Sequence, residues 1–405
     1  MSNTILTIDM ITRAAVSLFK NSNMFIKNIN TQYDNQFAVD GAKIGDTLRI
    51  RLPNDFVVRT GTALSAQDTS EKYTSLALQT QKGVDVAFSS AERTLKLDDY
   101  SERVLMPMMN NLAGGIAADI MSGVETGVCN FVSNVDGSGN IINPTSDTVL
   151  SAGAYLSDNS APTSPGWKSV LDPWTEAKLV NTLSGLFNPT PEISQQYRTG
   201  KIKNALGFDF FMDQTVIKHT TGSFSAGGAM SSAGQTGGTI TVSALTGTLN
   251  KGDIITIDGV YAVNRVTKLT TGKLRQFVVL ADVASGGTSI SIYPEIVPPV
   301  NGNAVQYQTV DSSPANAAQV RLVNKPSEIY RKNISYAPEA ITLATADLVL
   351  PKGVHEAARR EYDGISIRMI TDYVIGTDQL ATRLDVIYGY KYIRPEWTVA
   401  TADKI

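Results

Sequence analysis

The imidazole and thiol groups of this sequence are three: His219, His355 and Cys129. A zinc centre takes three or four ligands, so these residues cannot make one without carboxylates. His355-Glu356-Ala357-Ala358-Arg359 opens like a zincin helix, but Arg359 stands where the second histidine belongs. Both histidines therefore read as surface or helix-capping residues. Cys129 lies in a helix-like apolar pattern and reads as a buried, inert thiol. No Gly-x-Ser-x-Gly elbow offers a serine nucleophile. The glycine-rich run Asp136-Gly137-Ser138-Gly139 lacks the Gly-Lys-Ser/Thr of a phosphate loop and reads as a flexible loop. Asp98 and Asp99 point apart on a helix and read as charges at a helix start. Arg359-Arg360, with Lys352 nearby, is the tight basic cluster. It reads as a solvated face, with phosphate or an acidic neighbour as alternatives. Asn333-Ile334-Ser335 fits a glycosylation sequon, idle without secretion. No catalytic constellation, cofactor motif or metal site emerges.

Charge and composition narrow the classes further. The chain has 405 residues, 42% apolar and 18% charged, with a net charge of −3. That charge content is below the roughly 25% usual in soluble domains, which suits a surface covered by other subunits. Proteins that bind nucleic acid through its phosphates normally carry a basic excess, and none is present. If DNA is a neighbour, it is contained rather than gripped. One cysteine allows no intrachain disulfide. The opening MSNTILTIDM has no basic region followed by a long apolar run, and no stretch of about 18 apolar residues occurs. The expectation is a cytosolic chain with no membrane span.

Periodicity places the elements. Ile5, Ile8, Ile11, Ala15, Leu18 and Phe19 give residues 3–30 a helical stripe. Thr47–Leu52 alternates strictly and is matched by a strand over Tyr73–Gln79. About twenty small and polar residues, Pro53 to Lys72, join them, a length at which loops are often functional. A two-stranded ribbon is marginal alone, so its apolar face needs a partner in its own chain or in the next subunit. Val104, Met108, Leu112, Ile116, Ile120 and Val124 predict a helix from Asp98 to about Phe131. At about 1.5 Å per residue it would span roughly 50 Å, with Pro107 kinking it or marking its true first turn. Residues 134–171 read as loop. Asp172 and Pro173 open a second helix with Trp174, Ala177, Val180 and Leu183 as its apolar face, ending near Asn188-Pro189. Residues 222–238 have a flexible-linker composition. Short strands follow at Thr239–Ala244, Asp253–Ile257, Tyr261–Val266, Gln276–Ala281 and Ser289–Ile292, separated by turn signals such as Lys251-Gly252-Asp253. They predict a small β-barrel or sandwich set within a larger domain.

In this order the segments resemble a known family. The arm and hairpin, the helix at 98–131, the run YRTGKIKNALGFDFFMDQTVIKHT (197–220) with Gly200, Gly207 and Phe208, the run VSALTGTLNKGDIITIDGVYAVNRV, and YGYKYIRPEW (388–397) together resemble the coat proteins of short-tailed enteric phages. These belong to the Hong Kong 97-type capsid fold. Residues 134–170 match nothing in that pattern.

The resemblance implies an α+β fold with an N-terminal arm at 1–36 and an E-loop hairpin at 37–90. A spine helix at 91–135 follows. Axial and remaining peripheral strands occupy 136–223 and 313–405, and an inserted β-barrel domain occupies 224–312. It implies a non-enzymatic major capsid protein that self-assembles as hexamers and pentamers into an icosahedral shell around double-stranded DNA. A scaffolding protein and a portal are the implied partners, with assembly in the host bacterial cytoplasm. The contacts between subunits implied by the arm and loop are Phe19, Phe25, Phe56, Val57, Val58 and Arg59. Some members of the fold cross-link Lys to Asn between subunits, but no residue here singles itself out for that. The alternatives are an encapsulin-type nanocompartment shell, which shares the fold, and an enzyme or carbohydrate-binding β-protein. The last is poorly served by the few aromatics Tyr261, Phe277 and Tyr293 of the β-rich segment.

Overall fold

The computed structural model describes residues 8–34, 47–52, 54–58, 61–62, 66–67, 72–89, 101–183, 202, 204–375 and 379–405. The chain divides into two compact units. The first comprises Met1–Leu52, Tyr73–Ile120 and Ile341–Ile393, and the second Pro53–Lys72, Met121–Ala340 and Arg394–Ile405.

In the first unit a six-stranded sheet runs Asn30–Asp34, Ile341–Ala346, Gln379–Tyr392, Ile365–Val374 and Glu356–Tyr362, with Thr80–Ser89 paired to the far side of Gln379–Tyr392. The expected N-terminal helix forms over Ile8–Ser22, followed by a short turn of helix at Met24–Lys27. It packs on the strands Glu356–Tyr362 and Ile365–Val374. The ribbon pairs Thr47–Arg51 with Tyr73–Ala77, Leu48 opposite Leu76 and Arg51 opposite Tyr73. Its apolar face finds its partner in its own chain, since Leu76 and Leu78 are buried against Ala344, Ala346 and Ile387.

The predicted long helix is shorter and interrupted. A π-helical turn at Ser101–Leu105 leads into an α-helix at Met106–Ser122, and a separate turn follows at Val124–Gly127. Pro107 sits at the junction of the π-helical turn and the α-helix. Gly123 separates the two α-helical pieces, and Cys129 lies in extended chain beyond them. The principal helix thus spans about 25 Å at about 1.5 Å per residue. Met108, Leu112, Ile116 and Ile120 are buried as the stripe predicts. Asp98 and Asp99 lie outside the described residues.

In the second unit a seven-stranded sheet runs Asn130–Val132, Thr398–Lys404, Ile329–Tyr336, Trp167–Leu171, Phe208–Met212 and Asn204–Ala205, with Lys218–Thr220 also pairing with Ile329–Tyr336. Residues 134–171 are not one loop. They hold a helix at Ser146–Asp158 and the strand Trp167–Leu171. A reciprocal Thr145–Thr148 capping box starts that helix. Val149, Ala152 and Leu156 bury its stripe against Phe208 and Val399. The helix at Pro173–Leu183 starts as expected, with Asp172 Oδ2 accepting from Trp174 N at 3.0 Å. Its buried face differs from the one expected: Trp174 and Ala177 are exposed, while Thr175, Glu176 and Leu179 are buried. Two of these are polar with specific partners. Thr175 donates to Asp403 at 2.8 Å and Glu176 accepts from Ile202 N at 3.3 Å, so apolar periodicity misses them.

A five-stranded sheet runs Gly237–Thr241, Ser289–Ile296, Thr270–Val279, Ile254–Val263 and Val320–Leu322. The two runs expected at 253–257 and 261–266 are one bent strand with register shifts. The supposed linker 222–238 belongs to the same structure. Phe224 and Met230 are buried in its core. Met230 N donates to Ala318 O at 2.9 Å, while Ser243 N donates to Ala229 O at 2.7 Å. Its glycines serve close approach, since Gly227 has φ +82° and a Cβ there would strike the Ala244 carbonyl.

Candidate functional site

None of the residues singled out for chemistry sits in a catalytic arrangement. His355 is exposed just ahead of the strand Glu356–Tyr362. In extended chain, residues four apart are separated by more than 10 Å (about 3.3 Å per residue), so no zincin geometry exists there. His219 is not a surface residue: it is 3% exposed, and its Nε2 lies 2.9 Å from Asp253 Oδ1. Cys129 is fully buried, and burial pushes its thiol up to about 11. Arg359 and Arg360 are not simply solvated. Arg359 pairs with Asp347 at 3.0 Å, and Arg360 makes a two-pronged contact with Asp9. Asn333 of the sequon is fully buried. The Asp136–Gly139 run is a defined turn, with Asp136 Oδ1 accepting from Ser138 N at 2.8 Å. Among the described residues no three His, Cys, Asp or Glu are grouped to hold a metal ion, and no helix is long and apolar enough to cross a membrane.

Charge is instead used internally. Asp253 accepts from His219, from Gly222 N at 3.0 Å and from Asn250 N at 2.7 Å. Beside it the fully buried Lys332 donates from Nζ to Gly252 O at 3.1 Å and Glu125 O at 3.3 Å. Burial lowers the Lys332 ammonium to about 8, against the pull of Glu125 and Asp253. Asp403, likewise buried, receives Lys178 at 3.0 Å and Arg331 at 3.4 Å. The sequence marks 251–253 as a turn, but nothing in it foretells that the Asp253 carboxylate is enclosed.

A further charged group lies where the ribbon's loop meets the five-stranded sheet. Asp55 meets Arg265 Nε at 3.0 Å and Lys268 Nζ at 3.6 Å. Arg265 also binds Glu396 at 2.6 Å, and Glu396 takes Arg394 at 3.1 Å. Tyr307 donates its hydroxyl to Asn54 Oδ1 at 3.2 Å, and the Lys72 ammonium lies 4.3 Å from the Tyr307 ring centroid. Burial opposes the Arg265 charge, but Glu396 and Asp55 outweigh it and raise its affinity for the proton. At Lys268 burial prevails and lowers it. The sequence reading missed Asp55, Arg265 and Lys268; their partners are about 210 residues apart in the chain, and no local pattern links them.

The six expected contact residues separate into groups. Phe19 and Phe25 are 1% and 0% exposed within their own chain. They are core residues with no area left for a neighbour, which corrects the expectation for that pair. Phe56 and Val58 are 54% and 81% exposed, and Val57 is half-buried. Arg59 lies outside the described residues.

The family model described as P22 coat protein, gene protein 5, matches residues 16–400. No curated protein matches the chain. Among solved structures it is similar to one titled Mycobacterium phage Che8, at 12% identity and TM-score 0.43, covering 95% of this chain and 90% of that one. It is also similar to the capsid of cyanophage P-SCSP1u, at 10% identity and TM-score 0.48, covering 94% and 88%. A third is a virus-like particle from Pyrococcus furiosus, at 7% identity and TM-score 0.38, covering 97% of both chains.

Proposed function

The chain belongs to the P22 coat protein family, and we propose from that premise that its copies close as hexamers and pentamers into the icosahedral, Hong Kong 97-type shell of a tailed bacteriophage. It is a major capsid protein. Family membership over nearly the whole chain is the observation that carries this reading, and it weighs against a cellular nanocompartment. The shell would enclose double-stranded DNA without sequence-specific contacts, consistent with a net charge of −3. A scaffolding protein and a portal would take part, and assembly would proceed in the bacterial cytoplasm.

Several features support the finer architecture. The helix at Ile8–Ser22 serves as the N-terminal arm, the ribbon with residues 53–72 as the E-loop, and the helix at Met106–Ser122 as the spine. An inserted domain is supported by the pairing of Thr220 with Ile329: the chain leaves the seven-stranded sheet and returns beside its point of departure. Backbone bonds from residues 226–231 to 241–246 on one side and 317–320 on the other support closure of the five strands into a barrel. Val320–Leu322 pairs with Ile255–Ile257, which supports extending the proposed domain from 312 to 322. Of the expected contacts, Phe56, Val57 and Val58 remain the candidates, together with Arg59.

Expression in bacteria followed by sedimentation and negative-stain microscopy tests this function. Closed shells are expected, and a chain that stays monomeric at assembly concentrations refutes it. The loop is tested by replacing residues 53–71 with Asn-Gly, because Leu52 and Lys72 then flank a two-residue hairpin in register. Shortening a loop changes closure entropy only slowly. The variant is expected to melt cooperatively yet sediment as small species. Shells formed by it with an unchanged melt would remove the loop from assembly.

A further inference from the structure

We propose that Gln276 is an edge guard: its side-chain amide occupies the strand-pairing groups of Phe131 and so keeps segment 128–134 of a second copy of this chain from adding to the seven-stranded sheet. The inference does not rest on the coat-protein reading.

Three observations carry it. First, Asn130–Val132 is the outer strand of that sheet, paired in parallel with Val399–Thr401. An edge strand offers backbone N–H and C=O groups to any chain that lies beside it. Both groups of Phe131 are taken by one side chain. Phe131 N donates to Gln276 Oε1 at 2.6 Å, and Gln276 Nε2 donates to Phe131 O at 2.9 Å. A carboxamide carries the donor and acceptor of a peptide group, so Gln276 reproduces the bond pair of an added strand. Second, the segment behind the guard is suited to strand addition. Val128-Cys129-Asn130-Phe131-Val132-Ser133-Asn134 holds no charge, no proline and no glycine, the composition of segments that stack side by side with identical copies of themselves. Proline and charge, two usual protections of an edge, are missing from it, and its tendency to pair with its own sequence makes a second copy the partner. Third, the guard ends the sheet without extending it. Gln276 lies in Thr270–Val279, which pairs through its backbone with Ile254–Val263, Gln276 opposite Thr256. That strand reaches the segment with side chains: Arg275 Nη2 lies 3.9 Å from Cys129 Sγ, and the Lys273 ammonium lies 4.9 Å from the Tyr155 ring centroid. Phe131 is anchored from elsewhere, 2% exposed with its ring centroid 5.5 Å from that of Tyr330. Loss of the guard therefore leaves the edge strand seated and its outward groups unpaired.

Two substitutions in the full chain, held below its assembly concentration, separate a guard from a mere tether. Gln276→Ala removes both bonds. Gln276→Lys keeps at most the bond to Phe131 O, but sets a charge over the edge, as protected edge strands do. Both variants are expected to melt earlier than the unmodified chain. Gln276→Ala alone is expected to associate, on the order of tenfold faster than the unmodified chain, the change that two lost hydrogen bonds bring to an opening equilibrium. Association is read by light scattering with the amide I signature of intermolecular β-sheet. Hydrogen exchange with mass spectrometry locates the joint, and amides 128–134 are expected to be protected in the associated material. A merely structural contact would make association follow the loss of melting temperature in both variants. Equal association of the two, no association of Gln276→Ala, or freely exchanging amides at 128–134 overturns the guard. If Gln276→Ala is recovered only as aggregate, the exchange measurement on that material decides in the same way.

Discussion

Lys332 makes stability rise with pH in the alkaline range. Its ammonium is fully buried and held by two backbone carbonyls, with burial lowering it from 10.5 to about 8. Between those values the unfolded chain keeps a proton that the folded chain has released. Stability therefore rises with pH across that window. At about 1.4 kcal/mol per pH unit, the full window is worth about 3 kcal/mol. The gain is cut short from about pH 9 by the buried Cys129 thiol, raised from 9.0 to about 11, and near pH 10 by Tyr330 and Tyr336, whose phenols are raised chiefly by burial; these groups act in reverse. There the unfolded phenols lose protons that the folded ones keep, and stability falls with further rise in pH. Urea titrations of the unassembled full-length chain, followed by tryptophan fluorescence, are expected to rise by about 1 kcal/mol from pH 8 to 9, level off and fall above pH 10. In Lys332→Met the rise should vanish and the fall should begin near pH 9. A rise of equal slope in Lys332→Met, or stability falling monotonically from pH 8 in the unmodified chain, would refute the reasoning.

Three further outcomes follow from packing. In Gly389→Ala the added methyl would strike the Ala77 carbonyl and approach Leu76 Cδ2 at 2.9 Å. The ribbon should lift from its sheet at a cost of about 1–3 kcal/mol, read as faster proteolysis near Leu76; an unchanged cleavage rate contradicts the seating. Leu112→Asp places a carboxylate at a 3% exposed site, which costs several kcal/mol (about 3–5 on the scale of unpaired buried charge). Soluble yield should collapse, and normal particles would show that the stripe is not core. Cys129, with its thiol pushed up to about 11 by burial, should resist thiol reagents at neutral pH until the chain unfolds. Rapid labelling of native subunits would disprove its enclosure.

Elements whose residues repeat an unbroken period were legible in the sequence. Ile8–Ser22 carries an apolar stripe and Thr47–Arg51 alternates strictly, so each forms within the expected run, while the stripe of the expected 98–131 helix forms an α-helix only over Met106–Ser122. The helix at Ser146–Asp158 was hidden because small and polar residues dilute a stripe of only Val149, Ala152 and Leu156. The run at 222–238 misled for a related reason. Its glycines permit close backbone approach at positions such as Gly227, and that composition is the same as in a linker. The buried face of Pro173–Leu183 was misread because Thr175 and Glu176 are inside for their hydrogen bonds. The Asp55 pocket was illegible, because its members are joined only by tertiary structure. The turn at Lys251–Asp253 was visible as a turn, but the role of its carboxylate was not.

The low charge of the chain takes on meaning once the partners are known. Arg265, Arg331, Arg359, Arg360, Arg368 and Arg394 are all engaged with carboxylates of the same chain, as are Lys168 and Lys178. Charges committed in this way are unavailable for strong pairing with another subunit or for gripping phosphate. Scattered apolar side chains such as Phe56, Val58 and Ile375, the last 86% exposed, remain in solvent. Contacts of this kind are weak singly, so subunits can meet in a wrong register and part again. Repetition around closed rings then multiplies them into a stable shell.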